Sequence, residues 1–185
     1  MKRTTATMLA TAILSTALCA NALAENKDPG RVDFGSFSPP GSGGEFVEVN
    51  VSSSLISLVS SLVEHKDAEL FQLLKGLHEV RVNVIGLADD NRESIEKRAE
   101  AISRELDKGG WERVVRAQQQ DQNVRVYLKT QGKDSIQGLV VMATEGNKQA
   151  VFVNIVGDIK PSQLALLGEK LHIDPLKKIG LAAAD

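Results

Sequence analysis

The chain has 185 residues, with 22 Lys and Arg against 24 Asp and Glu, and 42% of its residues are hydrophobic. This size suffices for one globular domain with a buried core, while the near-neutral charge argues against a nucleic-acid-binding protein. A single cysteine, Cys19, excludes an intramolecular disulfide framework.

The first 24 residues have the pattern of a secretory signal peptide. Lys2 and Arg3 form a positive start, residues 8–19 are apolar or small, and residues 22–24 match the small-x-small cleavage pattern. The apolar segment is shorter than the roughly 20 residues that a membrane-spanning helix needs. We therefore expect cleavage near Ala24, no transmembrane anchor, loss of Cys19, and a mature protein that is periplasmic or secreted.

Residues 25–44 lack any hydrophobic period and are rich in Gly and Pro. They are predicted to form a flexible leader. Its large apolar side chains, Phe34 and Phe37, either dock on the domain or hold a partner, and docking is the commoner outcome. Residues 45–185 are predicted to form a single globular domain.

The domain is predicted to begin with a strand followed by two helices. Val47, Val49 and Val51 alternate with other residues in the period of a strand. Three serines at 52–54 then offer an N-cap. The first helix has an apolar face of Leu55, Leu58, Val59, Leu62 and Val63, and the second, from Asp67, directs Leu70, Leu73, Leu74 and Leu77 inward.

A strand at residues 79–87 and a long helix follow. The helix has an apolar stripe of Ile95, Ala99, Ile102 and Leu106, and Gly109-Gly110 closes it. Four strands with short polar connections then predict an antiparallel meander, at residues 112–118, 123–129, 136–144 and 149–157. A last helix opens at Pro161. This order predicts an α+β fold: a mixed, mostly antiparallel sheet with helices packed on one face and the other face left over.

No sequence motif identifies an active site. His65, His78 and His172 are isolated and lack the spacing of zinc ligands, and the serines at 52–54 lack the glycines of a nucleophile elbow. No glycine-rich phosphate loop is present. The sequence therefore predicts no catalytic residue, no cofactor and no metal. The alternative is an acid/base pair formed by acidic residues at strand-to-helix turns, namely Asp89, Asp90 and Asp158.

One face of the predicted sheet is unusually polar. Asparagine is disfavoured inside strands, yet three occur between β-branched or other apolar neighbours. The simpler explanation is a solvated face, and the alternative is a platform that binds a protein, peptide or glycan. The residues of this candidate binding face are Asn50, Arg81, Asn83, Arg125, Tyr127 and Asn154.

Several strand patterns together resemble those of an exported bacterial domain-of-unknown-function family, numbered forty-two fifty-two. They are the run from Phe46 to Val51 with the Leu-rich helix after it, Val80-x-Val82-Asn83-Val84-Ile85-Gly86, Val124-x-Val126-Tyr127 and Val153-x-Ile155-x-Gly157-Asp158-Ile159. The resemblance spans nearly all of the mature chain. It implies a small secreted or envelope protein and carries over no catalytic residues.

Two functions follow as hypotheses. The first is a non-enzymatic periplasmic binding or accessory module of the cell envelope, with an envelope protein or peptide as partner and no nucleic acid. The second is a small periplasmic hydrolase or ligand-binding enzyme that uses the acidic turn residues. A free sheet edge could also pair two copies, so a homodimer is a further expectation.

Overall fold

The computed structural model describes residues 28–170, apart from residues 42, 120, 121 and 147. The predicted signal peptide and the chain after Lys170 lie outside the described residues. The elements in chain order are β1 (Phe46–Ser52), α1 (Ser53–Val63), α2 (Ala68–Gly76), β2 (Leu77–Gly86), α3 (Arg92–Lys108), β3 (Glu112–Gln119), β4 (Gln122–Gln131), β5 (Ser135–Glu145), β6 (Gln149–Ile159), a 3-10 turn (Pro161–Gln163) and α4 (Leu164–Lys170).

The six strands form one sheet in the order β1-β2-β6-β5-β4-β3. All neighbouring pairs are antiparallel, so the predicted α+β class and the meander from β3 to β6 are confirmed, while the sheet is not mixed. Helix α3 carries the chain from β2 to β3 at the far edge. The meander then returns strand by strand and closes against β2, which leaves β1 and β3 as the two edges.

Helices α1, α2 and α4 cover one face of the sheet, which we call the crossover face. Ile56 of α1, Leu73 of α2 and Leu164 of α4 are buried in a single apolar cluster. The sheet contributes alternate residues of its central strands to that cluster, namely Val126, Leu128, Leu139, Val141, Val153 and Ile155. Burial of these side chains is the main stabilising contribution on this side.

The opposite face, which we call the leader face, is also covered, so the prediction of helices on one face only is wrong. The apolar stripe predicted for α3 packs against this face. Its four residues, Ile95, Ala99, Ile102 and Leu106, are all buried. It buries large apolar side chains that alternate with the crossover-face residues, Ile85, Tyr127, Val140, Met142 and Phe152. The sheet therefore has apolar residues on both faces, and each face needs a cover.

The segment predicted to be a flexible leader forms the rest of that cover. Val32 and Phe34 are buried, and the rings of Phe34 and Phe37 lie 5.7 Å and 4.9 Å from the ring of Phe152. The predicted docking of both phenylalanines is thus confirmed, and the described residues of this segment lie against the sheet. The missing hydrophobic period reflects an extended chain anchored at a few points, a pattern that periodicity does not detect.

A close backbone approach fixes the start of this segment. A methyl group added at Gly138 of β5 would lie only 2.6 Å from the Cα of Gly30. Only glycine at these two positions lets the leader cross β5 at this distance.

Candidate functional site

The strand register places all six residues of the candidate binding face on the leader face. Arg81 lies opposite both Asn50 and Asn154, and Asn154 lies opposite Val140, which in turn faces Tyr127. Asn83, Tyr127 and Asn154 are buried, Arg81 and Arg125 are half-buried, and Asn50 is exposed. These residues share a face, but the leader and α3 cover most of it.

Asn154 shows why a polar residue stands in the middle of the sheet. Its Oδ1 accepts the N–H of Val32 at 2.9 Å, and its Nδ2 donates to the carbonyl oxygens of Gly30 at 2.9 Å and Leu139 at 3.2 Å. The first two bonds join it to the leader. Its polarity therefore serves to anchor the chain's own N-terminal segment.

The two arginines of the candidate face also bond within the molecule. Arg81 pairs with Glu79, whose other oxygen lies 3.4 Å from Nε of Arg31 in the leader. Arg125 donates to the hydroxyl of Ser103 on α3 at 3.1 Å. Both side chains thus connect the sheet to the elements that cover it.

A shallow cleft remains between α3 and strands β4 and β5. Its volume is about 230 Å³, and its polar lining comes from Glu96, Glu100, Asn123, Arg125 and Thr144. Ligand sites usually have volumes of roughly 300 to 1,000 Å³ with enclosing apolar walls. The volume of this cleft lies below that range.

The acidic turn residues lie at opposite ends of the molecule. Asp158 accepts a hydrogen bond from Ser135. It lies beside the start of β2, because its neighbour Gly157 pairs with Leu77. Asp89 and Asp90 follow the other end of β2, a strand of 10 residues that spans about 30 Å. Asp158 is therefore too far from Asp89 and Asp90 to form the acid/base pair considered in the sequence analysis. No metal-binding group of three or more suitable side chains occurs within residues 28–170 as far as the structure describes them.

Among the described residues, the large apolar side chains exposed to solvent lie on β1 and α1. We define the β1–α1 surface as Val47, Val49, Leu55, Leu58, Val59 and Leu62, which are between 40% and 67% exposed. Four of these residues belong to the apolar face predicted for the first helix. An amphipathic helix usually packs its apolar face against the domain, whereas these four side chains face solvent.

Helix α1 instead directs Ile56 and Ser60 toward the core. The hydroxyl of Ser60 donates to the carbonyl of Ser57 at 2.8 Å, so its burial leaves no unpaired donor. Apolar residues occur on both sides of this helix, Ile56 on one side and the leucines on the other, and tertiary packing selects the narrower side. The wider apolar side faces solvent, and sequence periodicity alone could not have shown that this side is exposed.

Most of this surface also comes from an uncharged stretch of the chain. Residues 49–63 contain no Asp, Glu, Lys or Arg. An exposed apolar surface without interspersed charges is typical of a protein-binding surface.

Comparison with known proteins gives one match. A family model described as Domain of unknown function (DUF4252) matches residues 43–167. Neither the curated proteins nor the solved structures contain a match to the chain. Among the described residues, every helix is too short or too polar to cross a lipid bilayer.

Proposed function

Because the chain belongs to the family described as Domain of unknown function (DUF4252), we propose a function from its surface. The protein is an exported, non-enzymatic binding module of the cell envelope, and the β1–α1 surface is where it binds a protein partner. The family match covers β1 through most of α4 and therefore includes this surface.

Export is supported by the sequence of the first 24 residues. Their positive start, apolar segment and small-x-small ending follow the order of a secretory signal. The mature protein would then act in the periplasm or outside the cell. Export and binding are separate parts of the proposal and are tested separately.

The exposed leucines of α1 are the observation that carries the binding function. Leu58 and Leu62 are 62% and 67% exposed, although a soluble protein is stabilised when such side chains are buried. The leader face, by contrast, is mostly covered by the protein's own segments. A binding function therefore has one large apolar surface available to it in the described part of the chain.

Site-specific photo-crosslinking in cells tests this surface. A photoreactive residue replaces Leu58 in the full chain, and a matched variant carries it at Gln72, an exposed polar position of α2. We expect a discrete adduct from position 58 and none from position 72. The adduct should also disappear when Leu62→Asp is added, because a carboxylate disrupts an apolar contact.

Two results would refute the binding function. One is the absence of an adduct from position 58, and the other is an adduct that persists unchanged with Leu62→Asp. The mass of a genuine adduct also identifies whether the partner is a different protein or another copy of this one.

A further inference from the structure

The partner of the β1–α1 surface can be specified further, an inference that rests on the proposed function. We propose that a second copy of this chain binds there, with the two β1 strands pairing antiparallel about a twofold axis that passes between their Val49 residues. The pairing would join two six-stranded sheets into one.

Strand β1 is an edge that can accept another strand. It pairs with β2 over all seven of its residues without a bulge. The other edge, β3, has an irregular register between Arg113 and Val115 and carries two arginines, Arg113 and Arg116. Bulges and charges of this kind protect an edge from pairing. Strand β1 has no bulge, and Glu48 is its one charged residue.

The direction of the free backbone groups follows from the register with β2. The N–H of Gly86 donates to the carbonyl of Glu45 at 2.7 Å, so residues 45 and 86 form a hydrogen-bonded pair. Because such pairs alternate along antiparallel strands, Val47, Val49 and Val51 bond to β2. The backbone groups of Glu48 and Asn50 therefore point away from the sheet and are available to a new strand.

A twofold axis at Val49 is the arrangement that uses the whole strand. Val49 is the middle residue of Phe46–Ser52, so this register alone pairs all seven residues of both copies. It places Glu48 opposite Asn50 of the second copy. A register shifted to centre on Glu48 would instead place two carboxylates directly opposite each other, which is destabilising.

The same axis brings the exposed apolar side chains together. Val49 faces Val49 of the second copy, and Val47 faces Val51 of the second copy. Val51 lies near the end of β1, where α1 begins. The two uncharged α1 helices would thus flank the joined sheet. A twofold interface joins the same patch on both copies, so the absence of charge from residues 49–63 means that this part of the patch brings no like charges together.

Disulfide trapping in the full chain tests the register. Val49→Cys is compared with Val47→Cys, each in a background with Cys19→Ser. The two valines are a matched pair, since both are 40% exposed and lie on the same face of the same strand. In the proposed dimer, the Cα atoms of the two residues 49 lie about 4.5 Å apart, within disulfide range, whereas those of residues 47 lie more than 10 Å apart.

We expect the covalent dimer of the Val49→Cys variant to form at least about ten times faster than that of the Val47→Cys variant. The chain with Cys19→Ser alone should sediment as a dimer at high concentration, and adding Val49→Lys should leave a folded monomer. Equal trapping of both variants, or a monomer at every concentration, would overturn the pairing. A monomer that still gives the Leu58 adduct with a different protein would overturn the pairing and leave the proposed function standing.

Discussion

Asn154 lies at the centre of the sheet, and its polar atoms are used within the molecule. It is fully buried, and its amide joins the leader to β5 and β6. Asn50 and Asn83 occupy equivalent positions in the strand alternation, yet Asn50 is exposed at the edge. The three asparagines that look alike in sequence therefore have different environments.

Replacing Asn154 should strongly destabilise the protein. In Asn154→Leu, the N–H of Val32 and the carbonyl of Gly30 lose their partners in a dry environment, so the free energy of unfolding should fall by about 2–3 kcal/mol. Urea unfolding measures this change. Asn50→Ala is the control and should change the same free energy by less than about 0.5 kcal/mol. Equal effects would contradict the anchoring role.

At the scale of elements, the strands and α3 were predicted well, while the path of the leader and the packing of α1 were not. The predicted strand at 112–118 is observed as Glu112–Gln119, and all four residues of the α3 stripe pack as expected. In those elements one periodicity dominates the local sequence. Helix α1 has apolar residues on two sides, and the leader has no period, so long-range packing decides both. The candidate site therefore could not be located from the sequence.

Alanine substitutions in α1 should separate its buried and exposed sides. Ile56→Ala removes a 4% exposed side chain from the core and should lower the free energy of unfolding by about 2–3 kcal/mol. Leu58→Ala should lower it by less than about 0.5 kcal/mol when measured on dilute protein. The reverse order would show that α1 buries its wider apolar side.

The leader should behave as part of the domain. Phe34 is 4% exposed and packs against Phe152, so Phe34→Ala should lower the free energy of unfolding by about 3 kcal/mol. Phe71→Ala on α2 removes a side chain of the same kind from a half-exposed position and should have a smaller effect. A neutral Phe34→Ala would mean that the leader does not stabilise the domain.

At the scale of the whole molecule, the sheet has one face closed by α3 and the leader and one edge left open beside apolar side chains. The leader-face residues suggested by sequence are therefore mainly structural. In the described part of the chain, the regular strand β1 and the outward side of α1 offer exposed apolar side chains for contact with another protein. The proposed export and the proposed pairing through β1 would together make this protein a binding module of the envelope.

Export predicts a defined mature N-terminus. Expression of the full chain in a bacterium should give a periplasmic or secreted protein that begins at Glu25, as read by N-terminal sequencing of the fractionated cells. Ala24→Lys should block this cleavage, because the site requires a small residue. A cytoplasmic protein that retains Met1 would refute export.

Hydrogen exchange at β1 tests the central claim most directly, because it reports on the free edge itself. The account predicts that the amides of Glu48 and Asn50 exchange more slowly as protein concentration rises, while those of Val47 and Val49, which already bond to β2, change little. Fast exchange of the Glu48 and Asn50 amides at every concentration would contradict pairing of two copies through this edge.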